Sequence, residues 1–195
     1  MKKLRFCPDF ISLDKAHSGG GCLLPSSITW PVDEGGQGLL HLFTLPAEWV
    51  VSGTEGWLSV FTPFDLADTY LHWEELTADG RNHSVVIFHD NNGPSRNEYS
   101  KAVSEARRIT LEHADEEDLY RGVCSKIGRP TVWLQDQETV VDHQCLITVS
   151  GEDIDIGFPE EPCIFSDGMV YVFLKHNFQL ATRPSAQGLI TFQFT

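Results

Sequence analysis

The sequence predicts a β-rich α+β domain made of two pseudo-repeated halves, each contributing antiparallel strands, with few short helices. Three observations predict it. Short apolar and aromatic runs recur between glycine and proline punctuation, as the strands of a largely buried sheet do. Pieces of the first half return in the second half in the same order. With 195 residues, 41% of them hydrophobic, the chain can bury one sizeable core, so residues 1–195 are expected to form a single domain. The duplication is expected to span about residues 17–62 and 124–175.

Taken in order, the first signal is Ser18-Gly-Gly-Gly-Cys-Leu-Leu-Pro25. A phosphate loop would need spaced glycines and a lysine at the start of a helix, and no lysine or arginine occurs from residue 16 to residue 80. The glycines are therefore expected to make a tight backbone turn into a strand. Strands are expected at Gly38 to Leu45, Gly56 to Thr62 and His83 to His89, the last running into the turn Asp90-Asn-Asn-Gly-Pro94. Ala106 to Glu112 reads as a strand, although Tyr99, Val103 and Ala106 also suit a helix. Asp115 to Cys124 reads as a short helix with acids in its first turn, where the helix dipole favours them. Further strands are expected at Gln144 to Val149, Gly168 to Lys175 and Gly188 to Phe194.

Three matches carry the duplication. Ser18 and Gly21 correspond to Ser125 and Gly128 at one offset, Leu40-His-Leu-Phe-Thr-Leu45 resembles Cys145-Leu-Ile-Thr-Val149, and Gly56-Trp-Leu-Ser-Val-Phe61 resembles Gly168-Met-Val-Tyr-Val-Phe173. On this reading the triple glycine serves one turn of a pair, one in each half.

The formal charge is −14, and it is segregated. Residues 16–80 and 130–174 each hold nine acids and no lysine or arginine, while eight of the fourteen basic residues lie from Arg81 to Arg129. Nucleic acid is disfavoured as a ligand, because two long segments would repel phosphates, and a basic protein partner is favoured. Residues 1–14 carry positive charge but no apolar run of a signal peptide, and no stretch has the length of a membrane span. The expectation is a cytoplasmic protein that does not enter a membrane. Cys7, Cys22, Cys124, Cys145 and Cys163 are odd in number and widely spaced, which signals neither a disulfide framework nor a zinc ribbon. The trio Cys7, His17 and Cys22 fits no regular metal spacing. No cofactor and no metal are expected.

The segments Ser18-Gly-Gly-Gly-Cys-Leu-Leu-Pro25, Trp30-Pro31, Gly38-Leu-Leu-His-Leu-Phe43 and Gly56-Trp-Leu-Ser-Val-Phe61 resemble the opening of the YwqG-like family. In the second half, Ser125-Lys-Ile-Gly-Arg-Pro130 with Gln135, and Ser166-Asp-Gly-Met-Val-Tyr-Val-Phe-Leu174, resemble that family's later glycine-rich segments. The resemblance spans nearly the whole chain. It implies a mainly bacterial domain without an established enzymatic activity, and relatives beside polymorphic toxin genes imply an immunity role. Many relatives carry a cysteine pair after the Trp-Pro, whereas this chain reads Val32-Asp-Glu-Gly-Gly-Gln-Gly38, so no zinc is carried over. Ser166-Asp167 and Gly128-Arg129 stand where the family has Gly-Asp and Gly-Gly.

Two acidic stretches are the candidate partner-binding residues. In the first, Asp65, Asp68, Glu74 and Glu75 alternate with Tyr70 and Trp73, a mixture that suits a protein interface. The second holds Glu152, Asp153, Asp155, Glu160 and Glu161, with Ile154 and Ile156 alternating so that an extended chain would present carboxylates on one face. Nothing frames a catalytic nucleophile, and neither HExxH nor GxSxG occurs, so no enzyme is expected. The competing expectation is a small-ligand, metal or enzymatic cleft between the halves, where His41 and His143 would converge beside Asp167. The preferred expectation is an acidic protein that binds and neutralises a basic toxin, for example a nuclease.

Overall fold

The apolar runs read from the sequence do form strands, and the strands close on one another. The computed structural model describes residues 2–65, 83–99, 105–115, 124–129, 132–160, 164–165 and 167–194. In chain order the strands are β1 (Lys2–Phe10), β2 (His17–Ser18), β3 (Cys22–Leu23), β4 (Leu40–Pro46), β5 (Trp57–Thr62), β6 (Val85–His89), β7 (Ser95–Arg96), β8 (Arg107–His113), β9 (Lys126–Ile127), β10 (His143–Ser150), β11 (Gly168–Lys175) and β12 (Ser185–Phe194). Helix α1 (Ala47–Val50) follows β4, and helix α2 (Gly151–Gly157) follows β10.

Among the described residues, ten of these strands form one closed antiparallel barrel in the order β1-β8-β2-β4-β5-β6-β12-β11-β10-β9. The ring shuts where Lys2 of β1 pairs with Ile127 of β9. Closure leaves no open sheet edge, which removes the aggregation hazard of an unpaired strand. The barrel is a fold the sequence reading did not anticipate beyond its β-rich class. The other two strands, β3 and β7, make a separate ribbon, with Cys22 opposite Arg96.

Apolar side chains fill the barrel. Leu4 and Phe6 of β1, Phe43 and Leu45 of β4, Leu58 and Val60 of β5, and Val170 and Val172 of β11 belong to one core with Ile154 of α2 and Phe158 just after it. Two smaller apolar layers sit against other faces of the same strands. Cys22, Leu24, Trp30 and Leu39 cover Phe61 and Ile87, while Trp133, Leu134 and Val140 cover Cys145, Tyr171, Phe173 and Leu189. Strands β4–β6 and β10–β12 are thus buried on both faces, which is why they read as continuous apolar runs rather than alternating ones.

Several backbone details repeat. A bulge at Leu42 interrupts the β4–β5 register between His41 and Phe43, and a bulge at Leu146 interrupts β10–β11 between Cys145 and Ile147. The N–H of Gly19 donates to Leu42 O at 3.0 Å, and that of Gly128 to Leu146 O at 2.8 Å. Gly19, Gly20 and Gly21 all have positive φ, and a Cβ on Gly21 would lie 2.2 Å from the Arg96 carbonyl oxygen. The triple glycine is a left-handed turn against packed backbone.

The Arg107–His113 segment is a strand, as expected, while residues 100–104, where the helical alternative falls, lie outside the described residues. Residues 116–123 of the expected helix lie outside the described residues. No helix among the described residues is long and apolar enough to cross a membrane.

Candidate functional site

Charge is the first property the fold arranges. Paired strands β1 and β8 gather Lys2, Lys3, Arg5, Arg107 and Arg108, and the chain itself engages these cations. Arg5 Nη1 lies 3.3 Å from Glu112, Arg108 meets Asp9, and Lys2 Nζ donates to Trp49 O at 3.1 Å. Arg107 lies 3.9 Å over the Phe10 ring and donates to Pro8 O at 2.6 Å. Glu48, Asp142, Glu152, Glu160 and Asp167 are exposed, and none is ion-paired among the described residues. Glu152 lies on α2, which packs against β1, and Glu48 adjoins Trp49, whose carbonyl Lys2 meets, so some of the exposed acids neighbour the β1 cations.

The second acidic stretch departs from its expected geometry. Glu152, Asp153 and Asp155 lie on helix α2, not on an extended chain, and Gly151, Ile154 and Gly157, at a helical spacing of three, form its buried face. Asp153 accepts a 2.5 Å hydrogen bond from Ser125 Oγ, and the same oxygen accepts from the Ser150 N–H at 3.0 Å. Burial pushes the Asp153 carboxyl above its ordinary value, against the pull of Ser125. Asp155 accepts from the Ile164 N–H at 3.3 Å. These two aspartates therefore hold the helix to its surroundings, and Glu152 and Glu160 remain as the exposed acids of the stretch. Asp65 is half-buried, while Asp68, Tyr70, Trp73, Glu74, Glu75 and Glu161 lie outside the described residues.

The histidine cleft does not form. His41 is on β4 and His143 on β10, which stand five strands apart in either direction round the ring. His41 is only 2% exposed, whereas His143 lies part-exposed at the start of its strand, its Nδ1 donating to Val141 O at 2.7 Å. Asp167 is exposed just before β11. The position that corresponds to His41, one residue before the bulge, is Cys145 and not His143.

What His41 does join is a buried polar chain across neighbouring strands. His41 Nε2 lies 2.8 Å from Thr44 Oγ1, Thr44 Oγ1 lies 2.7 Å from Ser59 Oγ, and Ser59 Oγ lies 2.7 Å from His89 Nε2. His89 Nδ1 faces the Asp90 carbonyl at 3.1 Å, so it must donate there and its Nε2 must accept. Donation then runs one way, from His41 Nε2–H through Thr44 and Ser59 to His89. His41 Nδ1 is left buried with no partner.

The His17 ring lies 5.4 Å from that of His41, with its nitrogens 2.6 Å from Lys15 O and 2.8 Å from Gly21 O. Burial holds His17 and His89 below the ordinary histidine value, and His41 well below it, with the neighbouring His17 adding to the effect at His41. Ser59 and His89 have a nucleophile–base spacing, but both are fully buried and meet no substrate. Both His17 nitrogens face carbonyls, and among the described residues no group of three or more His, Cys, Asp or Glu is placed to hold a metal. Sequence reasoning missed this chain because its members are far apart in sequence and meet only through strand pairing.

Three openings remain among the described residues, one of them about 400 Å³ beside Phe10, Leu13 and Ala106. A polar groove of about 520 Å³ lies at the seam of β6 and β12, where Arg183 pairs with Asp90 at 3.0 Å and stacks 5.3 Å over Phe88. A cavity of about 260 Å³ lies between residues 133–140 and strands β10 and β11. Compared with models of protein families and with curated proteins, the chain matches none.

Proposed function

We propose that the protein is a non-enzymatic acidic binding protein whose partner is a basic protein. The observation that carries this reading is a set of exposed acids that no cation pairs among the described residues, on a strongly acidic chain. Cations gather on β1 and β8 and are engaged within the chain, while Glu48, Asp142, Glu152, Glu160 and Asp167 face solvent with no ion pair among the described residues. A net charge of −14 on the chain steers a cationic partner and speeds encounter. The segment holding Asp68, Tyr70, Trp73, Glu74 and Glu75 adds aromatic anchors to the same partner class.

Together with the resemblance to the YwqG-like family, the reading extends to a cytoplasmic immunity protein that sequesters a toxin. A nuclease suits best, because its own substrate requires a basic active face. The pairings also favour an internal duplication. The matched bulges align His41 with Cys145, Thr44 with Thr148 and Leu45 with Val149, and the β5 and β11 registers align Phe61 with Phe173. His17 and Lys126, each opposite one of those threonines, align as well, so the turn glycines correspond as Gly19 and Gly128.

The test is a pull-down of the tagged protein from its own cells, washed at low and then at high salt, with bound proteins identified by mass spectrometry. One stoichiometric basic partner released by salt is expected. Absence of any partner at low salt would end the reading.

A further inference from the structure

The polar groove at the seam of β6 and β12 holds hydrogen-bonding capacity that the chain leaves unspent. Its walls come from residues 53–55 before β5, from Phe88 and Asp90 at the end of β6, and from residues 179–183 before β12. Among the described lining residues the one cation is Arg183, and the chain fixes it in place. Arg183 pairs with Asp90 at 3.0 Å, donates to Glu55 O and lies 5.3 Å over the Phe88 ring. Gly56 makes room for it, since a Cβ there would lie 2.7 Å from Arg183 Nη1. This guanidinium is part of the wall.

What remains is mostly acceptor. Glu55 is exposed, and its carboxylate has no ion pair among the described residues. Asp90 meets Arg183 through one oxygen, keeps the second, and has a side chain 47% exposed. Part-exposed Gln179 carries an Oε1 that no donor of the chain reaches, and Thr182 adds an exposed hydroxyl. Two carboxylates against one guanidinium leave the groove negative, on a chain whose net charge is −14. A negative site of planar acceptors selects a planar cation rich in donors, and a guanidinium offers a carboxylate two parallel N–H groups where an ammonium offers a point charge. Leu180, between the lining residues Gln179 and Ala181, is 79% exposed and suits the methylene stem of such a side chain.

We propose that this groove receives an arginine side chain of the basic partner, its guanidinium paired with Glu55 and the second oxygen of Asp90 and its stem laid along Leu180. The inference rests on the reading of a basic protein partner, and names where that partner's anchor enters.

The first arm of the test needs no partner. Arginine amide, lysine amide and norleucine amide are titrated into the full chain while the backbone signals of Gly53, Thr54 and Glu55 are followed by NMR. Arginine amide is expected to shift them saturably, with half-saturation at about 10 mM or below, lysine amide to bind at least about threefold more weakly, and norleucine amide to shift nothing. Glu55→Gln is expected to weaken arginine amide at least about threefold. Thr182→Arg fills the groove from an exposed lining position and is expected to abolish the shift. In the second arm, Thr182→Arg is expected to weaken the captured partner at least about tenfold (about 1.4 kcal/mol), and Thr139→Arg, the same charge at an exposed site before β10, much less. Equal binding of arginine and lysine amides, arginine amide binding undiminished in both variants, or equal partner affinities for the two added arginines would overturn the proposal. If arginine amide does not bind, the proposal falls while the basic-partner reading keeps its own pull-down; if arginine amide binds and no partner is captured, that reading falls.

Discussion

Acidification is the sharpest perturbation of the buried histidine chain. His17, His41 and His89 all have folded pKa values below the ordinary 6.5, so below pH 6.5 the unfolded chain binds protons that the folded chain refuses. Stability is then complete above 6.5 and is lost as pH falls toward the folded values. Each proton gives a slope of about 1.4 kcal/mol per pH unit, and three together give at most about 4 kcal/mol per unit. Against a typical domain stability of about 5–15 kcal/mol, that loss is large. Asp153 works in the opposite sense, because its raised pKa contributes stability that is fully present only below 3.8 and is lost as pH rises through its folded value. The assay is urea unfolding from pH 7.5 to 5.5, for the native chain and for His41→Leu. The variant is expected to show a slope shallower by about 1.4 kcal/mol per pH unit below 6.5, since it lacks one titrating ring. A stability that stays level or rises between pH 7.5 and 5.5 would refute the linkage.

Gly21→Ala should destabilise the fold by about 2 kcal/mol or more, because φ is +79° there and the new Cβ meets the Arg96 carbonyl; thermal unfolding reads the loss. Ser125→Ala removes the partner of Asp153 and of the Ser150 N–H together, and should cost about 1–3 kcal/mol in urea unfolding. Trp30→Ala should cost about 3–5 kcal/mol, since the side chain is fully enclosed, whereas Trp133→Ala should cost less because that ring is only partly buried. Equal losses for the two tryptophans would contradict the difference between the covered faces.

Strands β4, β5, β6, β10, β11 and β12 were legible because each is an apolar run bounded by glycine, proline or polar turns. Strand β1 was not, since Lys2, Lys3 and Arg5 give it the look of a charged leader, although Leu4 and Phe6 alternate with them and point into the core. Helix α2 was misread because Asp153, Ile154, Asp155 and Ile156 alternate. The deciding spacing was Gly151, Ile154 and Gly157, three residues apart on the buried face of the helix. Barrel closure was illegible, for it rests on the two-residue strand β9 meeting both β1 and β10. The histidine chain was hidden for the same reason, its members being brought together by cross-strand register. Of the acidic candidates, sequence showed the charge but not its use, and only the fold separates the tethered Asp153 and Asp155 from the exposed Glu152 and Glu160.

The central claim is that the exposed acids engage a basic protein, and the association rate with the captured partner tests it most directly. Measured between 50 and 500 mM salt, the rate should fall by about tenfold or more for the native chain. Glu152→Gln with Glu160→Gln should associate more slowly at low salt and depend less on salt. A rate indifferent to both salt and these substitutions would contradict the account.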